Sequence, residues 1–354
     1  MHPLQQRLQT LRKKYLGSGR RVSPQALKHM ADSLMDEARA GSGFLVLTVG
    51  ACVIATLGLL ANSTAVIIGA MLVAPLMLPI RGLAFGILEA DRALIRTSLK
   101  AVVIGSALSI AIALGLGRLV NPSDYGSEVW SRTQPNLLDL GIALAAGAIA
   151  GIAKVDMRLS SSLAGTAIAV ALMPPLCVVG LWLAKFEGQI ALGALLLFIT
   201  NLLGITLACM VVFLAAGYSP VGHARRPLSL TLALTSLLVL PLGYTSYQLI
   251  RQDRLESNLQ RALLDKTITF QRLRLVSMET DWSVRPPLVN LTVYANAPVT
   301  PVQVDLLEKF VAQEMGRPFQ LIFAVSQLEE VTSTPAPLTD VEGPRDRPQR
   351  WQEN

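Results

Sequence analysis

Aromatic side chains make up only 5% of this 354-residue chain and charged ones only 16%, against about 25% charged in an ordinary soluble domain. So few charges are too few to cover the surface of a soluble protein of this length. Cysteine is scarce too. Cys52, Cys177 and Cys209 all fall in apolar stretches, and none belongs to a CxxC motif or a Cys/His cluster. Those spacings argue against a disulfide framework and against a metal site. His2, His29 and His223 are scattered over terminal and loop positions and make no ligand set. No GxSxG, HExxH, Walker or GxGxxG motif stands in a suitable context, and no pair of aspartates or Ser/His set lies inside an apolar run. Neither an enzyme nor a cofactor is expected. Missing as well is the small-residue cleavage site that would follow the first apolar run of a signal peptide.

What is abundant is apolar residue, 52% of the chain with a mean hydropathy of +0.48. Gly, Ala, Leu and Val dominate, which suits helices packed closely through small side chains in lipid; a membrane barrel would show short alternating strands instead. The fold class expected is a polytopic α-helical membrane protein. Seven stretches meet the requirement of about 20 apolar residues per helical span: 43–61, 64–88, 101–119, 137–153, 160–184, 189–217 and 228–250. The fourth is the shortest.

The net charge of +7 gathers at the N-terminus and in the connections flanking apolar runs. That pattern reads as topology, with the lipid bilayer as partner and no nucleic acid. Arg12, Lys13, Lys14, Arg20, Arg21, Lys28 and Arg39 put the N-terminus in the cytoplasm of a cell that carries this chain in its inner or plasma membrane. Arg92, Arg96 and Lys100, then Lys154 and Arg158, then Arg225 and Arg226 fall on the same side if there are seven spans. Residues 1–42 then form a basic cytoplasmic segment holding a surface helix, Pro24 to Arg39 behind the cap Ser23. Residues 43–250 form the membrane domain, and the C-terminal region lies outside.

A Pro-bearing apolar string occurs twice. Sliding Asn62–Pro79 by 99 residues pairs Ser63 with Ser162, Ala65 with Ala164, Ala70 with Ala169 and Pro75 with Pro174. Three spans, an odd number, separate the starts of the two copies, so they run in opposite directions, and the halves 43–120 and 137–217 become a 3+3 inverted repeat. Coincidence of two Pro-containing apolar helices is the competing reading. Pro75 and Pro79 lack N–H groups and would free the carbonyls of Met71 and Pro75; Pro174 and Pro175 would free those of Val170 and Ala171. Carbonyls released in lipid must face protein, water or a ligand. They therefore line a mid-membrane site or are satisfied at simple kinks.

Arg81 lies about 10 Å from the inner end of its span. It either snorkels to the interface or faces the interior, where it would attract an anion or pair with Glu89, Asp91 or Asp156. Asn62 and Ser63 suit an N-cap for the second span. Thr200, Asn201 and Gly204 interrupt the sixth, and Asn201 either bonds a neighbouring helix or lines a polar route. Gly82-x-x-x-Gly86 and Gly147-x-x-x-Gly151 offer close helix contacts, with which a homo-oligomer is compatible.

Beyond residue 250 the pattern changes. A charged helical stalk over 251–265 leads to strands at Thr267–Met278 and Leu288–Asn296, a helix at Pro301–Met315 and a strand at Phe319–Val331. Thr300, Pro301 and Gln303 supply a cap, a first-turn proline and a capping-box partner. This is a small β-β-α-β domain, 251–332 with its stalk, followed by a polar tail at 333–354 of disorder-prone composition.

The run Asn62-Ser63-Thr64-Ala65-Val66-Ile67-Ile68-Gly69-Ala70-Met71-Leu72-Val73-Ala74-Pro75-Leu76-Met77-Leu78-Pro79-Ile80, then Ala171-Leu172-Met173-Pro174-Pro175-Leu176, then Thr200-Asn201-Leu202-Leu203, resembles the bacterial and archaeal membrane family catalogued as domain of unknown function 389. The likeness covers about residues 40–220. It implies a membrane fold and no particular activity. Two functions fit these residues: a secondary transporter or channel-like carrier of a small solute or ion, of which an anion is one example, or a non-transporting scaffold or sensor whose outer domain binds a ligand or partner.

Overall fold

The apolar runs become helices in chain order: α1 (Pro24–Ala38), α2 (Ser42–Leu60), α3 (Thr64–Val73), α4 (Met77–Glu89), α5 (Arg92–Val120), the one-turn α6 (Ser127–Trp130), α7 (Leu137–Val155), α8 (Met173–Ala184), α9 (Gly188–Ala215) and α10 (Val221–Lys266). A computed structural model describes residues 22–156, 172–266, 273–282, 284, 286–295 and 299–326. The chain is 76% helical by this description.

Polar residues at the ends of the runs set the boundaries. The Ser23 hydroxyl accepts from the Ala26 N–H at 3.3 Å, and Pro24 sits in the first turn of α1, as the sequence predicts. Asp91 starts α5 by accepting from the N–H groups of Ala93 and Leu94 at 2.9 and 3.1 Å. Asn136 and Asp139 form a reciprocal capping box on α7.

Four helices, α2, α5, α7 and α9, are long and apolar enough to cross a membrane, as is the Ala224–Leu264 part of α10. Helices α3 and α4 pass the same test as a pair bent by 53°, which raises the total from 5 to 6 among the described residues. Helix α8 is equally apolar but has only 12 residues. The span expected at 160–184 is described from Leu172 onward, and its upstream part lies outside the described residues.

Two compact units divide the chain, Met1–Leu249 and Ile250–Asn354, with the boundary inside α10. The stretch 251–265, expected as a separate stalk, is therefore the unbroken end of a long helix.

In the first unit, α8 packs on α5, α2 and α9, while α9 also packs on α7 and α4. Helix α5 packs on α2 and α4, and α7 touches α4. The buried core runs through Cys52, Ile80, Phe85, Met173, Leu176 and Phe213. Glycines let these helices approach closely. A Cβ on Gly147 of α7 would lie 2.6 Å from the Ile205 Cα of α9, and one on Gly180 of α8 would lie 2.7 Å from the Ala113 Cβ of α5.

The connections sort to two ends. One end holds the α2–α3 turn, the segment 121–136 and the α8–α9 turn, tied by the Tyr125 hydroxyl donating to the Leu181 carbonyl at 2.8 Å and by Lys185 Nζ donating to the Ser123 carbonyl at 2.9 Å. The opposite end holds α1, the α4–α5 turn, the end of α7 and the end of α9. There the Val22 N–H donates to the Gly217 carbonyl at 3.2 Å.

The second unit has a three-stranded sheet in the order β1 (Leu273–Asp281), β2 (Leu288–Ala295), β3 (Gln320–Ser326), with β1 and β2 antiparallel. Strands β2 and β3 are parallel, joined across α11 (Pro301–Met315). Thr300 and Gln303 make the predicted capping box. Strand β1 is described from Leu273 onward; the part of it expected at 267–272 lies outside the described residues, as does 327–331 beyond β3. Val289, Leu291 and Val293 alternate inward and meet Leu307, Val311, Phe319, and Leu259 and Leu263 of α10.

Candidate functional site

The first Pro segment is a break rather than a kink. Pro75 has no N–H and its ring excludes the preceding residue from the helical region, so Ala74 is extended at φ −65° and ψ 124°. Helix α3 ends there and α4 begins at Met77 after a turn. The Met71 carbonyl thereby loses the N–H it would have met in a continuous helix. The carbonyl of Pro75, expected to be freed as well, accepts from the Leu78 N–H at 3.1 Å. Pro79 releases nothing, because it is the third residue of α4, where an N–H has no intrahelical partner in any case. Both prolines are buried.

The second segment starts a helix. Leu172 occupies the N-cap of α8, and Pro174 and Pro175 fall in its first turn, a position that suits proline. Every residue from Met173 to Trp182 is buried. Val170 and Ala171, whose carbonyls were expected to be free, lie outside the described residues.

Arg81 is drawn to an acid that its sequence neighbourhood did not suggest. Its Nη2 lies 3.1 Å from Glu37 Oε2 on α1, while the other Glu37 oxygen lies 2.5 Å from Lys154 Nζ at the end of α7. Lys154 also donates to the Ser33 hydroxyl at 2.7 Å. Of the acids expected as partners, Asp91 caps α5, Glu89 Oε1 is buried without a hydrogen bond, and Asp156 is the C-cap of α7. The reason is tertiary: the amphipathic α1 folds back onto α4 and α5, where Gly82 leaves room for Ala38. Arg81 Nε remains buried without a hydrogen bond.

Asn62 and Ser63 were expected to cap α3. Ser63 takes the N-cap position but makes no capping hydrogen bond through its side chain. Asn62 adopts a left-handed conformation, φ 51°, and its side-chain oxygen accepts from the Glu128 N–H at 2.9 Å. Thr64 donates to the Glu128 carboxylate at 2.5 Å, and Arg132 pairs with that carboxylate at 2.8 Å. The turn thus clasps α6. Hydrogen bonding by Thr64, and then by Arg132, holds the Glu128 carboxyl below the usual range.

Asn201 is buried in α9, beside Thr200, whose hydroxyl oxygen is buried without a hydrogen bond. One grouping escaped sequence reasoning altogether: the Sγ atoms of Cys52 and Cys177, 125 positions apart, lie 3.7 Å from each other. Motif spacing sees only local pairs, so no sequence signal marks it.

These features define a class: a largely helical protein with several helices apolar and long enough for a membrane, followed by a small sheet domain. Residues 71–207 match the model of the family described as domain of unknown function (DUF389). The matched stretch is narrower than 40–220. It takes in Met71–Ile80, the later Pro segment and Thr200–Leu203, but not Asn62–Ala70. An uncharacterised protein of Methanocaldococcus jannaschii is 30% identical over 200 residues, 56% of this chain and 61% of the relative. The chain therefore spans less than two thirds of that relative's length. No solved structure matches.

Proposed function

We propose that this chain is a secondary transporter or channel-like carrier of a small solute in the cell membrane, working by alternating access between two three-span halves. The observation that carries the reading is a symmetry of packing. Exchange α2 with α7, α4 with α8 and α5 with α9, and each principal contact among these helices becomes another. The pairing α2–α5 becomes α7–α9, α5–α8 becomes α9–α4, α4–α5 becomes α8–α9, and α2–α8 becomes α7–α4. A pseudo-two-fold axis between repeats produces that exchange, and a 99-residue shift brings the same halves into register through Pro75 and Pro174.

In this reading α3 and α4 form one broken span and α8 belongs to the fifth, giving seven crossings and an inverted pair. Broken or shortened helices in corresponding positions are where such carriers hold their substrates. Lys28, Arg39, Arg92, Arg96, Lys100, Lys154, Arg225 and Arg226 share the end that holds α1, which supports a cytoplasmic position for that end. The residues after α10 then follow on the outer side. Arg81 pairs with Glu37 and gives no support to an anionic solute.

Purified full-length protein in liposomes tests the reading. Flux of at least one inorganic ion or small solute above that of empty vesicles, lowered by Pro75→Ala, is expected. Removing residues 267–354 should leave flux in place, whereas a sensor reading expects the phenotype to vanish with that unit. Absence of flux across a panel of ions and small solutes, with Pro75→Ala indistinguishable from the parent in cells, contradicts the proposal.

A further inference from the structure

We infer that Cys52, Cys177 and Met173 form a binding site for a soft monovalent metal ion of the Cu(I) or Ag(I) class. The three sulfurs come from two helices held against a third. Met173 and Cys177 are four residues apart on α8 and share one face, and Cys52 approaches from α2. Ser109 of α5 spans the group. Its carbonyl accepts from the Cys52 thiol at 3.2 Å, and its hydroxyl oxygen lies 3.3 Å from Met173 Sδ. That hydroxyl also lies 2.8 Å from the Gly105 carbonyl, the better acceptor for its single proton. The thioether lone pairs are therefore left for another partner. Cys52, Cys177 and Met173 are all fully buried.

Chemistry narrows the ion. Among the described residues no three His, Cys, Asp or Glu side chains gather as a metal site, so the four-coordinate N/S set that zinc requires is lacking. Two thiols and a thioether are a donor set that Cu(I) accepts and hard cations reject. Size agrees as well. Metal–sulfur bonds of about 2.3 Å in a trigonal arrangement set neighbouring sulfurs about 4 Å apart, and the one such separation on the page, Cys52 Sγ to Cys177 Sγ, is 3.7 Å.

Binding replaces one thiol proton: R–SH and M⁺ give R–S–M and H⁺, with no change of oxidation state. The second thiol and the thioether complete the shell as neutral donors. The loaded site is then uncharged, which an apolar interior requires. One proton leaves per ion, so affinity falls as pH falls. The inference concerns equilibrium binding and stands whether or not the protein carries a solute.

The test is titration of reduced, full-length protein in detergent with Ag(I), which is redox-inert towards thiols, and with Cu(I) against a competing chelator. One ion per chain is expected, with a sulfur-only shell by X-ray absorption. Cys52→Ser and Cys177→Ser should each weaken binding more than about 100-fold. Met173→Leu, which conserves volume and spares the fold, should weaken it about tenfold. Cys209→Ser should bind as the parent does, since Cys209 donates to the Gly147 carbonyl at 3.1 Å elsewhere in the core. The inference is overturned by absence of binding, by undiminished binding in Met173→Leu and the double variant Cys52→Ser/Cys177→Ser, or by loss of binding in Cys209→Ser.

Discussion

Glu37 of α1 and Arg81 of α4 meet at 3.1 Å, and the same carboxylate holds Lys154 of α7 at 2.5 Å. One acid therefore ties the amphipathic α1 to both α4 and α7. All three side chains are partly buried, at 28%, 15% and 12% exposure, so the ties are stronger than those of a surface pair.

Removing the shared acid should cost more than removing either base. Glu37→Gln leaves two cations facing each other without compensation, while Arg81→Met leaves the Glu37–Lys154 pair intact. Glu37→Gln is expected to destabilise by about 1–3 kcal/mol and Arg81→Met by about half as much. Thermal unfolding in detergent reads both, and equal effects would argue against a shared acid.

The glycines separate packing from composition. In Gly147→Ala the new Cβ meets backbone, the Ile205 Cα at 2.6 Å, and cannot be relieved by a side-chain turn. A loss of about 2–3 kcal/mol is expected. Gly82→Ala meets the Ser98 hydroxyl at 2.7 Å, which can rotate, and the Ala38 Cβ at 3.1 Å, so it should cost less. Gly69 in α3 has nothing within 4 Å of its would-be Cβ, and Gly69→Ala should stabilise by about 0.5–1 kcal/mol. A reversal of this order in thermal melts would refute the helix contacts described.

Acid should loosen the clasp between the α2–α3 turn and α6. The Glu128 carboxyl is held below its ordinary value chiefly by Thr64 and then by Arg132. A depressed carboxylate contributes stability that is present above its unfolded pKa and is lost as pH falls through the folded one. The parent should lose this contribution below the ordinary carboxylate range, and Glu128→Gln, lacking it throughout, should show a flatter stability profile over that interval. Parallel pH profiles of the two proteins would show that the clasp contributes nothing.

The sequence carried the local structure well and the tertiary pairings poorly, for one physical reason. Helix positions follow from runs of apolar side chains, so α2, α5, α7 and α9 fall where hydropathy puts them. Caps follow from side chains within three residues of their targets, so Ser23 and Thr300 were legible. The Glu37–Arg81 pair, the hold of Asn62 on α6 and the Cys52–Cys177 contact join positions 44, 66 and 125 apart. No local rule reaches that far. Proline was legible as a breaker of α3, but whether its carbonyl is left free depends on the turn that follows, and Leu78 takes up the one at Pro75.

Opposed rocking of two halves is the central claim, and distance measurements between paired spin labels test it most directly. Labels at Ala90 and Asp156 report the end that holds α1, and labels at Ala61 and Leu138 report the other, each pair joining the two halves. The account predicts two distance populations at each end, with the conditions that lengthen one pair shortening the other. A single unchanging distance at both ends, in every condition under which the protein is folded in lipid, would contradict it.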